Sequence, residues 1–346
     1  MLALEVAVAR RVLSLPPRAL RALFGPPLVS PDGLELDLQT QALLALSRAT
    51  GQPDVVTLGV AGGRRYMDRV GPSLDDSASS RGLRVRDICL PRAGGGRPAR
   101  VYGEQTGRVK QPGLVFFHGG GFVVCSLDSH DRACRALAMK ANAIVVSIDY
   151  RLAPEHTFPA AVDDALAATR WVLRSAASLG IDPGAVAVGG DSAGGTLAAV
   201  VAQCLRGEEM QPAFQLLLYP VTDVRGGTPS REYFREGYFL SARAIDWYLN
   251  HYLPDPATYT DPRASPLLAH DLSGLPPALV MTAGFDPLRD EGRYYADKMR
   301  AAGVVVEYVC SEGSVHGFFN TSGLLRESER MMALAAGRLR AALAST

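Results

Sequence analysis

The stretch Gly190-Asp191-Ser192-Ala193-Gly194 decides how the rest of this sequence is read. Ahead of it, Ala185-Val186-Ala187-Val188-Gly189 is a short run of small apolar residues with the length of a buried strand. Behind it, Thr196-Leu197-Ala198-Ala199-Val200-Val201-Ala202-Gln203-Cys204-Leu205 reads as an apolar helix. A G-x-S-x-G placed between strand and helix is a nucleophile elbow, in which the turn is so tight that the positions two before and two after the serine tolerate almost no side chain. The Ser192 hydroxyl would then stand above the sheet edge with the N-terminus of the next helix beneath it. An ordinary glycine-rich turn shares the bare pattern, and the flanking elements are what separate the two readings.

Upstream, the apolar strand Leu114-Val115-Phe116-Phe117 runs into His118-Gly119-Gly120-Gly121-Phe122. Acyl transfer passes through a tetrahedral oxyanion, which needs N–H donors aimed at the developing charge. Glycines let the main chain approach that closely. An HGGG turn is one such device, and its partner donor is the N–H of the residue after the nucleophile, here Ala193. A phosphate loop is a poor alternative, because neither G-x-x-x-x-G-K-[ST] nor G-x-G-x-x-G occurs at this turn.

On such a fold the chain order is Ser, then Asp or Glu, then His. His251 has helical spacing in Trp247-Tyr248-Leu249-Asn250-His251 and reads as a packed or surface position, and His270 precedes a Pro-rich loop. His316 follows the strand Val304–Cys310 and an expected short loop over 311–315, so it can swing over the sheet edge as general base. The acid is sought after the strand 278–284. Asp286 is the first carboxylate able to point back over the sheet and is favoured, to accept His316 Nδ1–H. Asp290 and Glu291 compete, but they fall in the first turn of a helix, where the dipole accounts for acidic residues.

These motifs resemble those of the bacterial hormone-sensitive-lipase-like, or family IV, carboxylesterases from about Leu83 to the C-terminus. The likeness rests on HGGGF at 118–122, Asp149-Tyr150-Arg151-Leu152-Ala153-Pro154-Glu155-His156, Phe158-Pro159-Ala160-Ala161, GDSAGG at 190–195, Glu236–Ser241, FDPLRDEG at 285–292 and His316-Gly317-Phe318. GDSAG rather than GTSAG places the chain in one of that family's two subgroups. The resemblance implies an α/β-hydrolase with catalytic Ser192, Asp286 and His316 and oxyanion donors at Gly120, Gly121 and Ala193. It also implies a helical cap and a preference for acyl groups of roughly two to eight carbons. Cys125 stands where relatives carry glycine and is expected to take volume from the acyl side; Thr157 stands where proline is common. Phe122, Cys125 and Tyr219 are the candidate pocket residues. An amidase or acyltransferase with the same triad is the competing activity, and a receptor on a dead hydrolase fold would require a lost triad member.

Periodicity fills in the architecture. Apolar strands at 114–117, 143–149, 185–190, 215–219, 278–284 and 304–310 alternate with helical segments such as 162–173, after an alternating strand at 83–90 and another beginning at Arg100. That repetition predicts a mostly parallel, doubly wound sheet with helices on both faces. Residues 1–55 and 223–263 stand outside the alternation and are assigned to a cap; 56–222 and 264–346 are assigned to the α/β core. The aromatics Tyr233, Phe234, Tyr238, Phe239, Trp247, Tyr248 and Tyr252 of the second cap segment are expected mostly to pack cap against body. The polar stretch 71–80 reads as a linker.

At 346 residues with 47% hydrophobic content the chain can build a large core. A net charge of +1 gives no general attraction to nucleic acid. Cys89, Cys125, Cys134, Cys204 and Cys310 are odd in number and lack ligand spacing, so neither a disulfide framework nor a metal site is expected, and the default compartment is the reducing cytoplasm. No cofactor is called for. The expected partner is a small-molecule ester, without stable membrane insertion; a homodimer is left open. Arg10, Arg11, Arg18 and Arg21 could mark a transit peptide or a membrane-surface helix, but an amphipathic cap helix with a solvated basic face is preferred.

Four further expectations concern single residues. His130 should sit near a helix start, and Asp191 should bond local backbone. The charges of Arg151, Glu155 and His156, with Tyr150, should pair with one another. Cys125 should be an apolar filler rather than a second nucleophile.

Overall fold

The computed structural model describes residues 2–73, 82–103 and 110–344. Eight strands form one sheet: β1 Val85–Cys89, β2 Pro98–Tyr102, β3 Gln111–Phe117, β4 Ile144–Ile148, β5 Ile181–Asp191, β6 Phe214–Leu218, β7 Ala278–Phe285 and β8 Val306–Val315. Their order is β1-β2-β4-β3-β5-β6-β7-β8. β2 runs antiparallel to both neighbours, and every pairing from β4 to β8 is parallel. β4, β6 and β7 are buried along their whole length, which is why they read as unbroken apolar runs rather than alternating ones.

Helices cover both faces. α6 (Ala160–Ser175), α7 (Ala193–Cys204) and α10 (Arg289–Ala301) pack Val162, Val172, Leu197, Val201, Tyr295 and Met299 on one side. α5 (Asp131–Ala141) and α11 (Arg326–Ala344) pack Leu137, Met331, Met332 and Leu339 on the other. The apolar content of α7 has a simple cause: every residue from Ala193 to Ala202 is buried.

The N-terminal segment forms α1 Leu2–Leu13, α2 Pro17–Phe24 and α3 Leu38–Ala49. Leu13 and Leu20 close on Ala42 and Leu325, so the apolar stripe of these helices is used in packing. Two glutamines of α3 satisfy the loose backbone between them: Gln39 Nε2 donates to Leu13 O, and Gln41 bridges Phe24 O, Pro26 O and the Leu28 N–H. α4 (Val55–Ser73), broken at Gly59, occupies a stretch for which the sequence reading named no element. Gly71–Ser73 of the expected linker end this helix, and 74–80 lie outside the described residues. α8 (Pro229–Tyr233) and α9 (Ala242–Tyr252) make up the second non-alternating segment. Among the described residues no helix is long and apolar enough to cross a membrane.

The expected loop over 311–315 is strand instead. β8 continues to Val315 because a bulge at Gly284 restores pairing, with Phe285 opposite Val315. The two strands therefore end side by side.

Candidate active site

Ser192 sits between β5 and α7 at φ 54°, ψ −121°, a conformation that a non-glycine residue holds only when its surroundings enforce it. Its N–H donates to Leu218 O at 2.8 Å, which ties the turn to β6. The two flanking glycines are demanded by close approach. A Cβ at Gly194 would strike the carbonyl of Phe117 at the end of β3, and one at Gly190 would strike both Phe117 O and the backbone of Gly194.

The pairing of Phe285 with Val315 makes Asp286 and His316 the next residues on adjacent strands. His316 Nδ1 lies 2.7 Å from Asp286 Oδ2, and His316 Nε2 lies 3.0 Å from Ser192 Oγ. Asp286 is fully buried, and its other oxygen accepts the Leu288 N–H at 2.8 Å, which fixes the carboxylate plane. Asp290 faces elsewhere: its oxygens accept from the Ser230 N–H at 2.8 Å and from Arg289 Nε at 2.9 Å. His251 bonds Trp247 O within α9, and His270 is exposed, so neither approaches the serine.

The glycine turn after β3 lies against the elbow. Gly120 and Gly121 adopt φ 108° and 59°, and among the described residues the N–H groups of Gly120, Gly121 and Ala193 meet no protein acceptor. Asp191 does not bond local backbone as expected. Its carboxylate is buried and reaches across the fold, where Oδ1 accepts the Gly119 N–H at 2.9 Å and lies 3.1 Å from His130 Nε2. Oδ2 accepts from Asn320 Nδ2 at 3.2 Å. Burial alone would raise this acid, but His130 and the Gly119 N–H hold it below the ordinary carboxylate range. On the other side of the turn, burial pushes His118 down to about 3, so its ring is neutral, with Nδ1–H donating to Gly119 O at 2.7 Å. Tyr150 stacks on that ring and donates to His118 O at 2.7 Å.

Over Ser192 and His316 opens a pocket of about 870 Å³ including its mouth. Its wall is mainly aliphatic: Met67 of α4, Val221, Val224, Leu240, Ile245 and Leu249. Phe122 and Cys125 also line it. Tyr219 does not. It is fully buried beneath the site, its ring edge-on to His316 at 4.8 Å and its hydroxyl 3.4 Å from Asp191 Oδ2, so it supports the His316 ring from below instead of lining the pocket. Among the described residues no group of three or more His, Cys, Asp or Glu side chains is placed to hold a metal ion.

The family described as alpha/beta hydrolase fold matches residues 114–320. The carboxylic ester hydrolase LipN of Mycobacterium tuberculosis is 44% identical over 319 residues, 88% of this chain and 83% of that protein. Ethyl acetate hydrolase of Pseudomonas putida is 40% identical, over 71% of this chain and 79% of that one. Among solved structures, the esterase of the hyperthermophilic archaeon Pyrobaculum calidifontis superposes with a TM-score of 0.79 at 39% identity, covering 87% of this chain and 97% of that one. The chain belongs to the alpha/beta hydrolase family. Its hormone-sensitive-lipase-like motifs place it in that branch, as the sequence resemblance implied.

Sequence reasoning about this hydrolase missed several neighbours of the serine. His130 was placed only at a helix start, and Asn320 was not singled out at all; both meet on Asp191. Neither carries a local signal, because they are 61 and 129 positions from that residue. Met67 was missed with the helix that carries it. The expected pairing within 150–156 is replaced by anchors to other elements. Arg151 forks onto Asp164 of α6, Glu155 pairs with Arg64 of α4 at 2.7 Å, and Tyr150 bonds His118. Glu291 is more than a dipole partner, being fully buried against Arg231 at 2.7 Å. Of the aromatics between Tyr233 and Tyr252 only Tyr248 lines the pocket; Phe234 and Tyr238 pack on Phe285, and Tyr252 stacks on Phe122 at 3.9 Å.

Proposed function

We propose that this hydrolase is a serine carboxylesterase acting on short- to medium-chain esters, with Ser192 as nucleophile, His316 as general base and Asp286 as its orienting acid. The hydrogen-bonded line Ser192 Oγ–His316 Nε2, 3.0 Å, and His316 Nδ1–Asp286 Oδ2, 2.7 Å, carries the reading. Ser192 Oγ attacks the ester carbonyl carbon as its proton passes to His316 Nε2. The carbonyl oxygen becomes an oxyanion facing the N–H groups of Gly120, Gly121 and Ala193. The C–O bond then breaks, and His316 returns the proton to the leaving alcohol. Water, deprotonated by His316, attacks the acyl-enzyme, and the acid leaves as Ser192 regains its proton.

The short-chain preference draws support from the pocket. Each added methylene gains about 0.8 kcal/mol only while wall remains to contact it. Residues 1–55 and 223–263 are proposed as the cap over that wall, and the five unpaired cysteines are consistent with work in the cytoplasm. The test is Ser192→Ala assayed on p-nitrophenyl esters of increasing acyl length. The variant should fold and lose nearly all turnover. Retention of more than a few per cent would sink the mechanism. Efficient hydrolysis of emulsified palmitate esters by the unaltered protein would sink the chain-length preference.

A further inference from the structure

A pocket built from Met, Val, Leu and Ile needs no cation, yet Arg231 of α8 forms part of its wall. The side chain is only 11% exposed. Two of its three nitrogens are spoken for. Nε donates to Glu291 Oε2 at 2.9 Å, and Nη2 meets the same oxygen at 2.7 Å and Asp223 O at 3.4 Å. Among the described residues Nη1 has no partner. A guanidinium carries its donors in a rigid planar fork, so anchoring one edge fixes where the remaining donor stands. The anchor is itself immobile: Glu291 Oε1 accepts the Thr222 N–H at 3.0 Å, and the Thr222 hydroxyl donates to Glu291 O at 2.7 Å. The carboxyl of Glu291 already faces the positive charge. What the free edge lacks is therefore an acceptor and not a counter-ion.

We propose that Arg231 Nη1 is a substrate-recognition donor, and that the preferred esters carry a second, uncharged oxygen acceptor, an ether or carbonyl oxygen, besides the scissile group. The proposal rests on the esterase reading and refines its substrate class. A ligand that covers this donor strips its water, which costs free energy if no acceptor replaces it, and a ligand oxygen that pairs with it avoids that cost. A plain alkyl chain fills the same space without satisfying the donor. Discrimination by a buried polar group of this kind exceeds what an extra methylene can give.

Two matched ester pairs test it, one for each end of the substrate: ethyl methoxypropanoate against ethyl pentanoate, and methoxyethyl butanoate against butyl butanoate. In each pair an ether oxygen replaces one methylene. The readout is the ratio of kcat/KM within a pair, compared between the unaltered enzyme and its variants so that intrinsic ester reactivity cancels. Arg231→Lys keeps a cation for Glu291 but loses the planar second donor. Arg231→Met combined with Glu291→Gln removes both charges together and guards against a folding defect from an unpaired acid. In at least one pair, both variants should lower the ratio by about fivefold to tenfold. An unchanged ratio in both pairs would overturn the proposal. So would an equal loss on ether and plain esters, which would make Arg231 a clamp on the cap. Failure of the unaltered protein to hydrolyse any of the four esters would instead overturn the esterase reading beneath it.

Discussion

Asp286 and Asp290 lie about one helical turn apart and face opposite ways. Asp286 meets His316, whereas Asp290 holds the Ser230 N–H and Arg289. Asp286→Asn keeps the shape of the site but leaves the imidazole in the wrong tautomer, and should lower kcat by about four orders of magnitude. Asp290→Asn should leave kcat within a few fold and lower the thermal midpoint. Measuring both quantities for both variants checks the assignment, and a reversed ranking would move the acid to Asp290. Cys125 offers a second residue-scale test. Its backbone is left-handed at φ 74°, its side chain is buried beside Gly120, and burial pushes its thiol well above the ordinary value. Glycine there removes a side chain from the pocket wall and also relieves a conformation that costs an L-residue about 1–2 kcal/mol. Cys125→Gly should raise the octanoate-to-butanoate ratio of kcat/KM without lowering the thermal midpoint. An unchanged ratio would take Cys125 out of the acyl pocket.

At the scale of elements, the loop after β4 shows how charged residues place a turn. Arg151 closes on Asp164 of α6 through its backbone N–H at 2.9 Å and its guanidinium at 2.8 Å, with Arg97 beside them at 3.6 Å. Asp164 is buried, so these bonds are made in a poorly screened setting. The Arg64–Glu155 pair that ties the same loop to α4 has its carboxylate half exposed and is worth less. Asp164→Asn should cost about 2 kcal/mol of unfolding free energy, read from urea titration, while Glu155→Gln should change it little. Equal effects would mean that burial does not decide the strength of these anchors. None of this was visible in the residues alone. The run Tyr150 to His156 looks self-sufficient in charge, and its true partners come from elements far away in sequence.

For the molecule as a whole, the contact between the 223–231 segment and α10 includes one buried acid–base pair, Glu291 with Arg231. Burial pushes Glu291 up to about 7, against the opposing pull of Arg231 and two backbone N–H donors. In the unfolded chain the same carboxyl titrates near its ordinary 4.5. Between these values the folded protein holds a proton that the unfolded chain has released. Stability from this group is therefore full below about pH 4.5 and drains away as pH rises to about 7. In Glu291→Gln that part of the slope should vanish. Denaturant midpoints at several pH values for both proteins measure it, and parallel curves would show that Glu291 titrates normally in the fold.

The alternation of apolar runs with helical segments fixed the parallel sheet in advance, because strands buried on both faces must be apolar throughout. G-x-S-x-G and HGGG were legible for a similar reason. Backbone approach at Gly194 and Gly190 leaves no room for Cβ, so a steric demand is written locally as glycine. The order Ser192, Asp286, His316 was legible as chain order, and the preference for Asp286 followed from its place after β7. Tertiary structure alone decided what depends on distant chain segments meeting. The bulge at Gly284 brings Asp286 beside His316. Asp191 gathers Gly119, His130 and Asn320. Tyr219 goes under the His316 ring instead of into the pocket, and α4 delivers Met67 to the wall. A side chain's partners across the fold depend on register and packing, which no short window of sequence encodes, whereas the conformation of a turn is set by the few residues that make it.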